Sequence, residues 1–344
     1  MTYRAGVVGG SGYTGAELLR LLSTHPEIEV VHVSADSNAG APIAALYPGL
    51  AVAYPGLVYD AMDPAAVAGL DVVFLAMPHG ASQAFVPKII GEVGHIVDLG
   101  ADFRLPAEAY ARWYGETHTA PELIEQFAYG LVELGRPAVA AATNVAVPGC
   151  YPTASTLALG PLFAAGIVEP TVIVDAMSGI SGAGRGLKIT GHFTEADESV
   201  SAYGLLNHRH TAEIEQVLSG LARAPVTALF TPHLVPMIRG MQATCHATPT
   251  AAGLTTVKLL DLYREFYASE PFVAVVDEPP PTKAATGANT CFVTVRADER
   301  TGRVLALGVL DNLVKGASGG AIQNANVVLG LPETTALPTV GMWP

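Results

Sequence analysis

Residues 5–15 read AGVVGGSGYTG, and a helical pattern follows from Ala16 to Leu22. Ala5-Gly6-Val7-Val8 is a short apolar strand. Glycines 9, 12 and 15 then turn the chain into a helix with leucines at 18, 19, 21 and 22. In this strand–turn–helix setting Gly9 makes a tight turn, Gly12 lets a pyrophosphate approach the backbone, and Gly15 lets helix and strand pack closely. The helix N-terminus adds amide donors and a positive partial charge suited to phosphate. Gly9, Ser11, Gly12, Tyr13, Thr14 and Gly15 are therefore the candidate dinucleotide loop, against the plainer reading of a structural turn.

The same alternation continues outward. Val30–Val33, Asp71–Met77, Ile96–Leu99 and Val139–Ala142 are further short apolar runs that predict strands. Continuous apolar runs between helical patterns indicate a parallel sheet covered on both faces. After Cys150 the pattern changes. A helix is expected over Ser155–Ala165 and another over Thr255–Ala268. Strands are expected at 172–176, 226–230, 241–246, 273–276, 291–295 and 304–310. With few helices between them, these strands predict a mixed, largely antiparallel sheet. The fold class is thus an α/β Rossmann domain with a parallel sheet, plus an α+β domain for catalysis and oligomerisation. The expected boundaries are 1–148 with 316–344 for the first, the helical stretch 319–329 returning to it, and 149–315 for the second.

Composition limits the function. The 344 residues are 50% hydrophobic and 14% charged, with a formal net charge of −13. Low hydrophobicity and high charge, the mark of disorder, are absent. An acidic chain without a basic block is a poor nucleic-acid binder. The mean hydropathy of +0.37 raises the question of a membrane span. The uncharged stretch 137–168 is long enough, but Pro148, Pro152 and Pro161 interrupt it, and it reads as strand, turn and buried helix. The N-terminus carries no secretory pattern. A cytoplasmic protein without membrane or nucleic-acid partners is expected. The three cysteines, at 150, 245 and 291, have neither disulfide-framework nor zinc spacing, so no metal is expected.

The remaining candidates follow from position. Ser34-Ala35-Asp36-Ser37 ends the second strand, where the adenosine ribose is read. Asp36 there suits the two hydroxyls of NAD, whereas Ser34 and Ser37 suit the 2′-phosphate of NADP. Pro78 and His79 end another strand on the ligand side of such sheets. Pro148-Gly149-Cys150 is a tight turn opening a helix, where the dipole lowers a thiol's pKa. A small buried hydrophobe is the alternative reading of Cys150. Asn207-His208-Arg209-His210-Thr211 opens another helical pattern, with Thr211 its expected cap.

These segments together carry a resemblance. DVVFLAMPHG (71–80), DLGADFRL (98–105), VPGCYPT (147–153), SGISGAGR (178–185), HRHTAE (208–213), PHLVPMIRG (232–240) and DNLVKGASGGAIQNAN (311–326) span nearly the whole chain. With the glycine loop they make it resemble the N-acetyl-gamma-glutamyl-phosphate reductases, and more distantly the aspartate-semialdehyde dehydrogenases. The resemblance implies NADP(H) as cofactor, Cys150 as nucleophile, and reduction of an acyl phosphate through a thioester. It implies His208 as acid/base, with Arg209, His210, Arg239, Ser178 and Gly179 meeting the small-molecule substrate. It places Ser181, Gly182 and Asn312 by the cofactor, and implies a homodimer or homotetramer. Arg239 and His246 show the seven-residue separation of an arginine and a catalytic histidine on one strand in the semialdehyde dehydrogenases, which keeps His246 as a minor candidate. Asp98 and Asp102 are read as a hydrogen-bonding corner, without a catalytic role. Two positions depart from the family: Val147 where Asn is common, and Ala35-Asp36 after Ser34 where Arg is usual. The rival readings are a lysine-pathway reductase on a carrier-linked substrate and a non-catalytic dinucleotide-binding protein.

Overall fold

The computed structural model describes residues 2–343. The chain forms two compact units, Met1–Pro148 with Ala317–Leu337 and Gly149–Gly316 with Pro338–Pro344.

In the first unit six strands lie in the order β2-β1-β3-β4-β6-β5: β1 Tyr3–Val8, β2 Ile28–Ser34, β3 Val72–Leu75, β4 His95–Asp98, β5 Phe127–Tyr129 and β6 Asn144–Ala146. Every pairing is parallel, as the apolar runs require of a sheet shielded on both faces. The predicted strand at Val139–Ala142 is instead the end of a helix, Val132–Ala140, and the strand follows at Asn144. Alanine favours helix, and the polar start of β6 hid a strand that pairs with both β4 and β5.

The glycine turn joins β1 to the helix Tyr13–Leu22. Gly9 has φ +88°, and a Cβ there would sit 2.5 Å from the Ala76 carbonyl oxygen, so both conformation and space demand glycine. Two carboxylates organise the loop after β3. Asp102 accepts the Gly80 and Gln83 N–H groups at 2.7 and 3.0 Å. Asp98, fully buried at the end of β4, accepts the Ser82 hydroxyl and the Gly100 N–H, both at 2.8 Å.

In the second unit seven strands lie in the order β11-β12-β13-β10-β7-β9-β8: β7 Val168–Gly179, β8 Ser201–Ala202, β9 Thr227–Val235, β10 Met241–Pro249, β11 Val273–Val275, β12 Cys291–Asp298 and β13 Arg303–Leu310. Two pairings are parallel, β11 with β12 and β7 with β9, and the others are antiparallel. The helix Cys150–Ala164 packs on this sheet, apolar all round and buried along nearly its whole length. Its hydroxyls bond back into the helix, Thr153 to the Gly149 carbonyl at 2.9 Å and Thr156 to that of Pro152 at 2.6 Å. Pro161 cannot donate to the Leu157 carbonyl, and the Tyr267 hydroxyl donates there instead at 2.6 Å.

The carboxyl-terminal segment corrects the expected boundary. Residues 338–343 leave the first unit because the second holds their backbone. Asn289 N–H donates to the Pro338 carbonyl and Met342 N–H to that of Thr286, both at 2.7 Å. Gly316 also belongs to the second unit. Among the described residues no helix is long and apolar enough to cross a membrane.

Burial, with the nearby Asp102 charge adding to it, pushes the Asp98 carboxyl up to about 7 against the Ser82 and Gly100 hydrogen bonds. A raised folded pKa contributes stability at low pH that is lost as pH rises through that value. Asp98→Asn cannot ionise. Thermal unfolding from about pH 5 to about pH 8 should therefore show a smaller decline in Tm in this variant than in the wild type. Equal slopes would show that Asp98 carries no linked proton.

Candidate active site

Cys150 opens a helix because Gly149 before it is extended (φ −68°, ψ 153°) and acts as its N-cap without a side-chain cap. The first-turn amides of a helix lack internal acceptors and concentrate positive partial charge. The thiol thus sits where a thiolate is favoured, and Cys150 is half-buried while Cys245 and Cys291 are buried. Burial pushes the Cys245 thiol far up. The turn after β13 approaches Cys150 closely, since a Cβ added at Gly316 would lie 2.7 Å from the Cys150 Cβ.

Glu213 and His210 complete this corner from the helix His210–Ala222. Glu213 is fully buried, and its Oε2 accepts the Gly149 N–H at 3.0 Å. Its Oε1 stands 3.9 Å from His210 Nε2. The His210 ring lies flat against the cysteine turn, because a Cβ on Gly149 would come within 2.5 Å of Nε2. Glycine is needed here for space, not for its backbone angles.

His208 is held differently. Its Nδ1 accepts the His210 N–H at 3.2 Å. It therefore caps the helix that Thr211 was expected to cap, and Thr211 is buried within the first turn. The His208 ring is boxed edge-to-face by Tyr151, Tyr203, Phe230 and His210 at 4.8–5.6 Å. Burial, with the neighbouring His210 and Arg209 charges adding to it, holds its imidazole down at about 3. Tyr203 donates to the Tyr151 hydroxyl at 3.1 Å, which donates to the His233 carbonyl at the same distance. Burial raises Tyr203 to about 12.

The remaining candidates of the second unit divide. Ser178 is buried, and its Oγ donates to the Gly179 carbonyl. Asn312 accepts the Gly240 N–H at 2.8 Å and donates to Ser181 Oγ at 2.9 Å, bracing the loop that includes Gly182. Arg239 lies in the turn before β10, not on a strand with His246. His246 is exposed, while its neighbours Cys245 and Ala247 are buried, so it points away from the face on which the Cys150 helix packs.

In the first unit the glycine loop fits a dinucleotide. The helix it opens has no side-chain cap, so nothing on Gly12 blocks the first-turn amides. Only the Gly9 carbonyl, at 3.8 Å, would approach a Cβ there. Ser34 Oγ, buried at the end of β2, has no hydrogen-bond partner, and Asn38 donates to Ser11 Oγ at 3.2 Å. Asp36 and Ser37 are exposed beside them, and Pro78 and His79 follow β3.

The comparisons agree with this division. Residues 4–142 match the semialdehyde dehydrogenase NAD binding domain, and residues 150–312 the semialdehyde dehydrogenase dimerisation domain. An N-acetyl-gamma-glutamyl-phosphate reductase from Symbiobacterium thermophilum is 52% identical, with 99% of each chain covered. One from Acidithiobacillus ferrooxidans is 48% identical over the same share. The chain belongs to the N-acetyl-gamma-glutamyl-phosphate reductase family. Aspartate semialdehyde dehydrogenase II from Vibrio cholerae, solved with ASA, has the same fold at a TM-score of 0.72 and 15% identity, covering 96% of this chain and 99% of that one.

For a chain of this reductase family, the sequence reading passed over Glu213, Tyr203 and Asp311. Glu213 had a usable signal, since His210 and Glu213 are three apart and share a helix face. Tyr203 and Asp311 had none, because long-range folding alone brings them to the site. The His210 ring rests on Gly149, so Gly149→Ala must displace it from the cysteine turn. Iodoacetamide alkylation of Cys150 near neutral pH should then slow by about 10-fold, as the thiol loses a neighbouring imidazole that accepts its proton. An unchanged rate would separate the imidazole from the thiol.

Proposed function

We propose that this chain reduces N-acetyl-L-glutamyl 5-phosphate with NADPH, giving N-acetyl-L-glutamate 5-semialdehyde and phosphate; its relatives named N-acetyl-gamma-glutamyl-phosphate reductase support this. The observation that carries the reading is the half-buried Cys150 thiol at a helix start, with His210 against the adjoining Gly149 and Glu213 behind it. An acyl phosphate is an activated acid, and a thiolate displaces its phosphate to form a thioester.

His210 takes the thiol proton and the thiolate Sγ attacks the acyl carbon. The carbon–oxygen bond to phosphate breaks, and the leaving phosphate receives the proton from His210. The Gly9–Gly15 loop, with Ser34 and Ser37, would hold NADPH, which would supply the hydride that reduces the thioester carbon. The resulting alkoxide faces helix-end amides, the kind of donor that stabilises an oxyanion. It re-forms a carbonyl, the carbon–sulfur bond breaks, and the thiolate returns while His210 regains a proton from solvent.

This assigns proton transfer to His210 and exchanges the roles first expected of the two histidines. His208 spends Nδ1 on a backbone N–H and stays neutral, so it orients the start of the His210 helix. Arg209 and Arg239 are the cations for phosphate and carboxylate. We also infer a cytoplasmic homodimer or homotetramer. The dimerisation match supports the assembly, and so do Ile173, Met177 and Leu229, exposed on β7 and β9.

Oxidation of the semialdehyde with NADP tests the reading. Steady turnover should require phosphate. Without it, reduced cofactor should appear as a burst of about one equivalent per site, the mark of an acyl-enzyme. Phosphate-independent turnover would sink the assignment. His210→Asn should lower kcat by about 100-fold or more, the scale of a lost general acid or base. His208→Asn should weaken the fold more than it alters the pH profile, and the reverse pattern would return the proton to His208.

A further inference from the structure

The first unit distributes its cations unevenly. Between Arg20 and Lys88 the chain has no lysine or arginine, while Asp36, Asp60, Asp63 and Asp71 fall in the same stretch. That stretch includes β2, the edge strand of the sheet, and the segment that borders its carboxyl end. The Ser34 carbonyl, at the end of β2, accepts the Gly9 and Gly10 N–H groups, both at 2.9 Å. The chain then returns alongside β2. Asp60 N–H donates to the Val33 carbonyl and Ala35 N–H to that of Asp60, both at 2.9 Å. A dinucleotide seated on the glycine loop lays its adenosine ribose at this corner.

The side chains there are neutral or acidic. Ser34 Oγ is buried without a hydrogen-bond partner, and Ser37 is exposed. Asn38 Nδ2 donates to Ser11 Oγ at 3.2 Å and to Ser37 Oγ at 3.4 Å. His32 Nδ1 stands 3.2 Å from Asp60 Oδ2, so a proton there is matched by that carboxylate. The Asp36 carboxylate is exposed and bonds to no other described side chain. It follows the glycine loop at the spacing, about 20 residues, at which an acidic side chain accepts the ribose hydroxyls. The other cations of this unit stand elsewhere. Arg4 lies at the start of β1, the end remote from the loop. Arg20 pairs with Glu17 at 2.8 Å, about two turns along the helix that the loop opens. Lys88, Arg104, Arg112 and Arg136 belong to segments that follow β3, β4 and β5, strands on the far side of β1 from β2. A 2′-phosphate is a dense anion that a neighbouring arginine ordinarily accommodates. Here hydroxyls can donate to it, but they donate to a ribose as well, and the one unengaged charge is a carboxylate.

We propose that this chain takes NAD(H) as a second cofactor beside NADP(H), binding it at least as tightly, with Asp36 accepting the free ribose hydroxyls. The proposal rests on the first unit as the cofactor domain, and not on which acyl phosphate is reduced.

The test is calorimetric titration of the full-length, cofactor-free enzyme with NAD and with NADP, in the absence of substrate. The Kd for NAD should equal or lie below that for NADP. Added KCl should weaken NADP no more than NAD, since the extra phosphate gains no cation whose attraction salt could screen. Asp36→Asn keeps the size and removes the charge. It should tighten NADP by about 10-fold, as a like-charge contact is lost, while NAD weakens. Asp36→Arg should tighten NADP further and make its affinity fall steeply with salt. Wild-type enzyme that binds NADP about 10-fold more tightly than NAD overturns the proposal. A steep salt dependence of that preference would mark a cation supplied from outside residues 21–87. Affinities unmoved by Asp36→Asn also overturn it, since the carboxylate then faces solvent and not the ribose. If neither dinucleotide binds, the cofactor domain itself is misread. If both bind as expected but no semialdehyde is oxidised with either, the acyl-phosphate assignment fails while the binding result stands.

Discussion

The corner around Cys150 depends on one buried contact, the hydrogen bond from the Gly149 N–H to the Glu213 carboxylate. A helix start leaves its first amides without partners. A fully buried carboxylate needs donors in return, since an unpaired one is expensive. Each need meets the other. The contact joins the Cys150 helix to the His210 helix, and it lays the His210 ring on the only kind of residue that leaves room for it. Remove the carboxylate, and the cysteine turn and the imidazole lose a common reference.

Around that contact the second unit buries nearly the whole of a long helix. Pro161 breaks one internal bond, and Tyr267 replaces it. The Tyr263 hydroxyl also donates to the Ala158 carbonyl, at 2.5 Å. Small residues on the sheet let the helix lie close. Glycine at 308 in β13 faces the Ala154 carbonyl, where any Cβ would clash. The thiol therefore emerges from a rigid element, and a rigid element holds a nucleophile to a productive geometry better than a loop does.

The two histidines show how the same residue type takes two roles through environment. His208 is boxed by aromatic rings and stays neutral, and its lone pair serves a backbone N–H. His210 has a buried carboxylate 3.9 Å from its Nε2, and its ring rests on the cysteine turn. Two histidines two positions apart thus meet different surroundings, one boxed by rings and one set against the cysteine turn. The fold shared with the semialdehyde dehydrogenases at 15% identity survives because packing and turn chemistry tolerate wide substitution.

Much of the architecture was legible from local pattern. The glycine spacing after β1, the apolar runs of β3 and β4, and the β10, β12 and β13 runs reported themselves, because hydrophobic period and turn residues are local properties. The cysteine after Pro148-Gly149 was legible for the same reason. The helix at Val139 was misread as a strand, since a short alanine-rich run suits either state until its neighbours choose. Residues 338–343 were misplaced because backbone hydrogen bonds to distant loops leave no mark in composition. Which histidine faces the cysteine turn, and that Asp311 holds Arg239, depend on contacts between residues 61 and 72 positions apart. Sequence determined which chemical groups this protein possesses. Only tertiary packing decided which of them meet, because burial, direction and the partner of each lone pair arise from the whole chain at once.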